Sequence, residues 1–264
     1  MKLDTKVYIV GSGPGDPDLI TVKGLKILRN ADVILYTDSL VNPVLMEEAK
    51  PEATVLKSAG MSLDEIVECV EGYIKEGKSV ARMHTGDPAI YGAILEQMVR
   101  FKEKGIDYEI IPGVSSVFAS AAAAGVELTV PDLTQTVILT RAEGRTPMPD
   151  KEKLYDLAKH QCTVCLFLSA TLIKKVVKEF YQAGWREEDS VVVVYRASWP
   201  DEKVVRTTLA ELDDTMRKEG IRKQAMVIIS KAVNPDLLTD RQYESKLYDK
   251  SFTHGYRKGE PSHG

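Results

Sequence analysis

Val7-Tyr-Ile-Val-Gly-Ser-Gly-Pro-Gly-Asp-Pro-Asp-Leu-Ile-Thr21 runs an apolar strand into a glycine-proline turn and on towards a helix start. Such a turn at the carboxyl end of a strand is where α/β proteins bind ligands. Gly11, Gly13 and Gly15 carry no Cβ, so their backbone can take positive φ and approach a small molecule closely. The spacing is Gly-x-Gly-Pro-Gly, whereas a dinucleotide fingerprint places its third glycine one position later, where this chain has Asp16. Pro14 removes an amide donor and fixes φ, and Asp16 puts negative charge where a pyrophosphate would seek a helix N-terminus. The turn reads as one built for a ligand without phosphates.

Working outward, short apolar strands alternate with helical segments. Val7–Val10, Val33–Tyr36, Val55–Lys57, Val80–His84 and Tyr108–Ile111 read as strands. Between them, Thr21 caps a helix through Leu28, Ser62-Leu-Asp-Glu65 has capping-box spacing before a helix to Lys75, and Ile90–Lys104 carries apolar residues at helical spacing. This alternation predicts a mainly parallel sheet covered by helices on both faces. The glycine turn, Tyr36-Thr-Asp38, His84-Thr-Gly-Asp87 and Pro112-Gly113 all fall at carboxyl ends of strands, so four ends converge on one edge.

An α/β domain is therefore expected over 1–118, with the boundary in the region of 115–130. A second α/β domain over 119–240 follows. Its strands are expected at Thr136–Thr140, Thr163–Leu168, Val191–Tyr195, Lys203–Thr207 and Ala225–Ser230, and its helices at Asp150–Lys159, Thr171–Gln182 and Leu209–Lys218. The Pro200-Asp201 turn joins two of those strands as a hairpin, which makes the second sheet mixed. The polar tail 241–264 carries Tyr243, Tyr248, Phe252 and Tyr256, expected to pack on the body or on a partner subunit.

Bulk composition narrows the classes. The chain has 264 residues, 44% of them hydrophobic, enough for a real core, and a formal net charge of -4 that gives no basic field for nucleic acid. Any anionic ligand must be met by local Arg and Lys. No signal-like or membrane-spanning run is read, so no membrane partner and a cytoplasmic location are expected. Three cysteines, Cys69, Cys162 and Cys165, argue against a disulfide scaffold. Cys162-Thr-Val-Cys165 has metal-ligand spacing, but it lies in an apolar strand that would put the two thiols on opposite faces, so no metal site is expected.

Two further turns share the edge of the first. Arg82-Met-His-Thr-Gly-Asp-Pro-Ala-Ile-Tyr-Gly92 stops a strand at Gly86-Asp-Pro88 and restarts as a helix, with Asp87 placed to cap and Pro88 in the first turn. Ile111-Pro-Gly-Val-Ser-Ser116 opens an alanine-rich helix whose small side chains let backbone and ligand come close. In this order and at these separations the three turns resemble the tetrapyrrole methylase family, over Lys6 to about Val233. Pro131-Asp-Leu-Thr-Gln-Thr-Val-Ile-Leu-Thr-Arg-Ala-Glu-Gly-Arg-Thr-Pro147 and Phe252-Thr-His-Gly-Tyr-Arg-Lys258 resemble the branch that methylates C11 of precorrin-4 or cobalt-precorrin-4 in cobalamin biosynthesis.

The resemblance implies two α/β domains with S-adenosylmethionine in a cleft between them, and a homodimer. It implies cofactor contacts at Pro14, Thr85, Gly86, Asp87, Ile90, Ser115 and Ser116, and at Leu168, Ala197, Ala225 and Met226. Thr85 stands where many relatives have Gly, and Leu168 where some have Met. The implied substrate is a polycarboxylate tetrapyrrole, for which Arg141, Arg145 and Arg196 are candidates because a guanidinium fork suits carboxylates; Met61, after the third strand, joins them by resemblance.

A methyl sulfonium needs orientation and a water-poor site more than a nucleophilic triad, and none is read. Asp87 is a candidate for a catalytic positioning role or for a cap, His84 reads as structural, and no general base is assigned. Alternatives stay open: another acceptor such as uroporphyrinogen III or a different precorrin, or a nucleotide-binding oxidoreductase or non-catalytic module using Asp38 for a ribose.

Overall fold

The computed structural model describes residues 2–239 and 242–259. By compactness the chain forms two units, Met1–Ser120 with Arg196–Glu202, and Ala121–Tyr195 with Lys203–Gly264. Arg196–Glu202, within the stretch expected as the second domain over 119–240, clusters by compactness with the first unit.

The first unit contains β1 (Val7–Gly11), α1 (Val22–Asn30), β2 (Val33–Tyr36), β3 (Thr54–Lys57), α2 (Leu63–Lys75), β4 (Val80–His84), α3 (Ile94–Glu103) and β5 (Tyr108–Ile111), and α4 (Ser116–Ala124) crosses its boundary. The five strands are parallel in the order β3-β2-β4-β1-β5. All of β1 is buried because both sheet faces are covered. Val7 and Ile9 pack with Val67 and Val70 of α2 and Phe101 of α3, while Tyr8 and Val10 pack with Ile27 and Leu28 of α1. Burial of each such aliphatic side chain favours folding by about 1.5–3 kcal/mol.

Helix starts follow their caps. Thr21 Oγ1 accepts from Gly24 N at 3.1 Å, and in the Ser62–Glu65 box the two backbone amides donate to the opposite side chains at 2.7 and 3.3 Å. The helix expected from Ile90 begins only at Ile94, because Tyr91 and Ala93 take left-handed φ of 54° and 49°.

The second unit holds β6 (Val137–Arg141), α5 (Leu154–Ala158), β7 (Thr163–Phe167), α6 (Ile173–Gln182), β8 (Ser190–Tyr195), β9 (Lys203–Thr208), α7 (Leu212–Lys218) and β10 (Ala225–Ile229). Its sheet order is β6-β7-β10-β8-β9, with β6 parallel to β7 and the other pairs antiparallel. Val164, Val193 and Ile229 pack under Val176 and Phe180 of α6 and Met216 of α7. Trp185 lies 5.2 Å from the Phe180 ring and donates from Nε1 to Ala158 O at 2.8 Å. The expected Asp150–Lys159 helix breaks at Lys153, whose backbone is extended with ψ 138°, so only Leu154–Ala158 is α-helical.

Cys165 is fully buried in β7, and burial pushes its thiol up to about 12. Among the described residues no His, Cys, Asp and Glu side chains cluster to hold a metal, and no helix is long and apolar enough to cross a membrane. Of the tail aromatics, Tyr243 is half-buried, while Tyr248 and Tyr256 are exposed on the single chain.

Candidate functional site

The three turns are joined directly. Ser12 donates to His84 O from both N and Oγ, at 2.8 and 2.7 Å. Gly13 and Gly86 exchange backbone hydrogen bonds at 3.3 and 2.7 Å, an antiparallel bridge at the ends of two parallel strands. Both residues are left-handed, with φ of 82° and 61°, which glycine adopts without strain. The third turn closes against the other two: a Cβ on Gly113 would stand 2.2 Å from Gly86 O, and one on Gly11 would stand 2.6 Å from Gly113 N. Asp87 fastens this arrangement, accepting from Gly113 N at 2.9 Å and from Ala89 N at 2.8 Å. Its carboxylate therefore ties the second turn to the third.

A second set of side chains holds the first turn from outside. Trp199 Nε1 donates to Pro14 O at 2.9 Å, Asn42 Nδ2 donates to Gly15 O at 2.8 Å, and Asp16 N donates to Ser198 Oγ at 2.9 Å. Asp16 Oδ1 in turn accepts from Asp18 N at 2.9 Å. The amides of Ser12, Gly13, Asp16, Gly86 and Gly113 are thus all committed within the protein. A phosphate cradle needs such amides free and convergent. The site fits a ligand that carries no phosphate, as the S-adenosylmethionine expected here does not.

The candidate residues of the first unit gather around these turns. Pro14 and Gly86 are buried, Gly86 in the bridged pair and Pro14 next to its partner Gly13, and Thr85, Asp87 and Ile90 are half-buried along the second turn. Ser115 is buried, with its Oγ accepting from Val117 N at 3.4 Å, and Ser116 opens α4. Ala197 is buried, and Arg196 stacks 4.2 Å over the Trp199 ring with its Nε 3.0 Å from Asp201 Oδ1. That nitrogen is shut from solvent without a well-aligned hydrogen bond, so the contact is electrostatic. Arg196 and Ser198 have left-handed φ of 46° and 68°, a strain that non-glycine residues keep where surroundings impose it. Met61 is half-buried on the segment after β3.

In the second unit, register puts Arg141, Leu168, Ala225 and Met226 at one end of the sheet: Arg141 faces Phe167 across β6–β7, and Val227 faces Leu166 across β7–β10. Leu168 is left-handed at φ 51° and 70% exposed, an unusual state for an apolar side chain in a folded protein. Arg141 does not present a free fork. Its guanidinium donates to Thr146 O at 3.2 Å and Pro147 O at 2.9 Å, bracing its own loop, while Arg145 on that loop is exposed.

His84 is buried, its Nε2 has no partner among the described residues, and burial followed by the nearby Arg82 charge pushes the imidazole down to about 3. It is neutral at physiological pH. Trp199, Asn42 and Ser198 were not singled out by sequence reasoning. A Trp within a hairpin turn was a signal in Ser198-Trp-Pro200, but its partner at Pro14 lies far away in the chain.

The model of the tetrapyrrole (corrin/porphyrin) methylases matches residues 6–213. The chain belongs to this family. A cobalt-precorrin-4 C(11)-methyltransferase of Priestia megaterium is 66% identical over 96% of this chain and 98% of its own length. The corresponding Methanocaldococcus jannaschii enzyme is 55% identical over 98% of both chains. A crystal structure of a cobalt-precorrin-4 methyltransferase from cobalamin biosynthesis superposes with a TM-score of 0.86 at 66% identity, covering 88% of this chain and 97% of that one. A uroporphyrin-III C-methyltransferase of Thermus thermophilus complexed with S-adenosylhomocysteine gives a TM-score of 0.72 at 27% identity, covering 87% of this chain and 93% of that one. In this tetrapyrrole methylase the committed amides of the first turn remove the nucleotide-phosphate alternative on physical grounds as well.

Proposed function

We infer that this methylase is an S-adenosylmethionine-dependent C-methyltransferase acting at C11 of cobalt-precorrin-4 in cobalamin biosynthesis. The observation that carries this reading is the 66% identity to a cobalt-precorrin-4 C(11)-methyltransferase across nearly the whole of both chains. Identity falls to 42% for the Pseudomonas aeruginosa precorrin-4 enzyme, which favours the cobalt-containing substrate over the metal-free one.

S-adenosylmethionine supplies an electrophilic methyl on a sulfonium, so the protein needs orientation and exclusion of water rather than a nucleophile. The joined turns at Pro14, Gly86–Asp87 and Ser115–Ser116 give a rigid edge on which Thr85, Ile90 and Ala197 would contact it. Leu168, Ala225 and Met226 are the further positions proposed for ligand contact, at the end of their own sheet. Asp87 acts through the turns it joins and is a positioning residue. Arg145, Arg196 and Met61 are proposed to meet the substrate, and Arg141 to shape the loop that carries Arg145. A homodimer and a cytoplasmic location belong to the same reading.

Methyl transfer from labelled S-adenosylmethionine should be faster to cobalt-precorrin-4 than to metal-free precorrin-4. Transfer to uroporphyrinogen III and to neither precorrin would overturn the assignment. A monomeric sedimentation profile at micromolar concentration would remove the homodimer.

A further inference from the structure

Arg82 lies in β4 with 4% of its surface exposed, and all of its partners are neutral. Its Nε donates to Gln97 Oε1 at 3.2 Å, and its Nη1 donates to Ser58 Oγ at 2.9 Å, Leu35 O at 3.3 Å and Thr37 Oγ1 at 3.4 Å. Its Nη2 has no partner among the described residues, and it is not one of the unpartnered side-chain nitrogens that are closed to solvent. Buried arginines are ordinarily paired with an acid, because desolvating a lone guanidinium is costly. Two acids are adjacent in sequence to these partners: Asp38 is turned elsewhere, its Oδ1 accepting from Ala59 N at 3.0 Å, and Glu96, beside Gln97, is exposed on α3 and makes no ion pair with Arg82 among the described residues.

The position of this uncompensated charge matters. Thr37 follows β2 and Ser58 follows β3, so the guanidinium sits under two strand ends on the edge where open parallel sheets bind ligands. His84, two residues along the same strand and on the same face, is also buried, with an Nε2 that has no partner among the described residues. Being neutral, it adds a second unmet polar group and no negative charge. Burial lowers the Arg82 pKa only to about 10, which leaves it cationic at neutral pH.

We propose that Arg82 binds a carboxylate of a bound ligand through its Nη2 edge, beneath the segments that follow β2 and β3. A guanidinium edge matches a carboxylate in shape and charge. Two ligands of the methyl transfer carry such a group, the tetrapyrrole on its side chains and the cofactor on its amino-acid end. This step rests on the functional reading above only for the identity of those ligands.

The test measures affinities of wild type, Arg82→Lys and Arg82→Gln for S-adenosylhomocysteine by calorimetry and for uroporphyrin, a stable polycarboxylate tetrapyrrole, by fluorescence quenching. Thermal unfolding of each variant is recorded alongside. A loss of at least about tenfold in uroporphyrin affinity, with S-adenosylhomocysteine unchanged, places the carboxylate on the substrate. The same loss confined to S-adenosylhomocysteine places it on the cofactor. A folded Arg82→Gln protein that binds both as wild type does overturns the proposal, because a purely structural arginine would lower the melting temperature alone. If Arg82→Gln does not fold, Ser58→Ala removes one hydrogen bond that orients the guanidinium and keeps the charge. It should weaken the same ligand by about threefold, and unchanged affinities overturn the proposal. Wild type that binds these ligands but fails to methylate cobalt-precorrin-4 overturns the functional reading and leaves the subsite standing. Wild type that binds neither overturns both.

Discussion

Gly15 and Trp199 fit together only because position 15 has no side chain: a Cβ there would stand 2.2 Å from both Cδ1 and Nε1 of the indole. The same indole donates to Pro14 O at 2.9 Å, so the residue that forbids a side chain at 15 also fixes the backbone at 14. Gly15→Ala should push the ring away, break that hydrogen bond and destabilise the protein by about 1–3 kcal/mol. Its affinity for S-adenosylhomocysteine should fall with it. Trp199→Ala removes the obstacle, so the double variant should lose less than the sum of the two single losses. Additive losses in chemical unfolding would show that Gly15 and Trp199 do not interact in this way.

Gly113 makes a harsher demand. The groups its Cβ would strike, Gly86 O at 2.2 Å and Gly11 Cα at 2.8 Å, are backbone and cannot swing aside. Gly113→Ala should cost about 3 kcal/mol or more, enough to leave little folded protein at 37 °C. Gly72 provides the contrast: it lies inside α2, and a Cβ there meets nothing within 4 Å. Gly72→Ala should raise stability by about 0.5–1 kcal/mol through helix propensity. Urea midpoints check both; equal and small effects would mean that the turns are not close-packed.

These contrasts show what could be read from residues alone. The capping box at Ser62 and the cap at Thr21 are local in sequence, and the helices start where those patterns put them. Burial on both faces was legible in β1 as an unbroken apolar run. The start of α3 was not, because Tyr91 and Ala93 take a left-handed backbone that their side chains do not signal. Arg141 was legible as a guanidinium but not as one spent on its own loop carbonyls. The hold of Asn42, Ser198 and Trp199 on the first turn joins residues far apart in sequence, and no local pattern encodes it.

Asp87 offers a test of positioning. Its two carboxylate oxygens accept from different turns, Oδ1 from Ala89 N and Oδ2 from Gly113 N. Asn can supply only one acceptor oxygen, so Asp87→Asn must leave one amide unmet or facing an NH2 group. A stability loss of about 1–3 kcal/mol is expected, together with weaker S-adenosylhomocysteine binding. The pH profile of methyl transfer should keep its shape, since Asp87 acts through backbone placement and not by moving a proton. A changed profile with unchanged cofactor affinity would instead give Asp87 a direct role in the chemistry.

His84 makes acid sensitivity specific to one residue. Burial, and then the charge of Arg82, holds its folded pKa down to about 3, against an ordinary value of 6.5. Between those two values the unfolded chain binds a proton that the folded chain refuses, so stability rises with pH across this window and is lost as pH falls through it. The slope approaches about 1.4 kcal/mol per pH unit, and the fall from pH 6.5 to 5 removes about 2 kcal/mol. Carboxylates do not mimic this. Asp32, held down to about 2 by its hydrogen bond to Lys50 and then by Ser79, gives stability that is present above its ordinary value of 3.8 and lost only below it. His84→Gln cannot titrate, so its urea midpoint should drop less between pH 7 and pH 5 than that of wild type. Equal drops in the two proteins would mean that His84 is not held neutral by its surroundings.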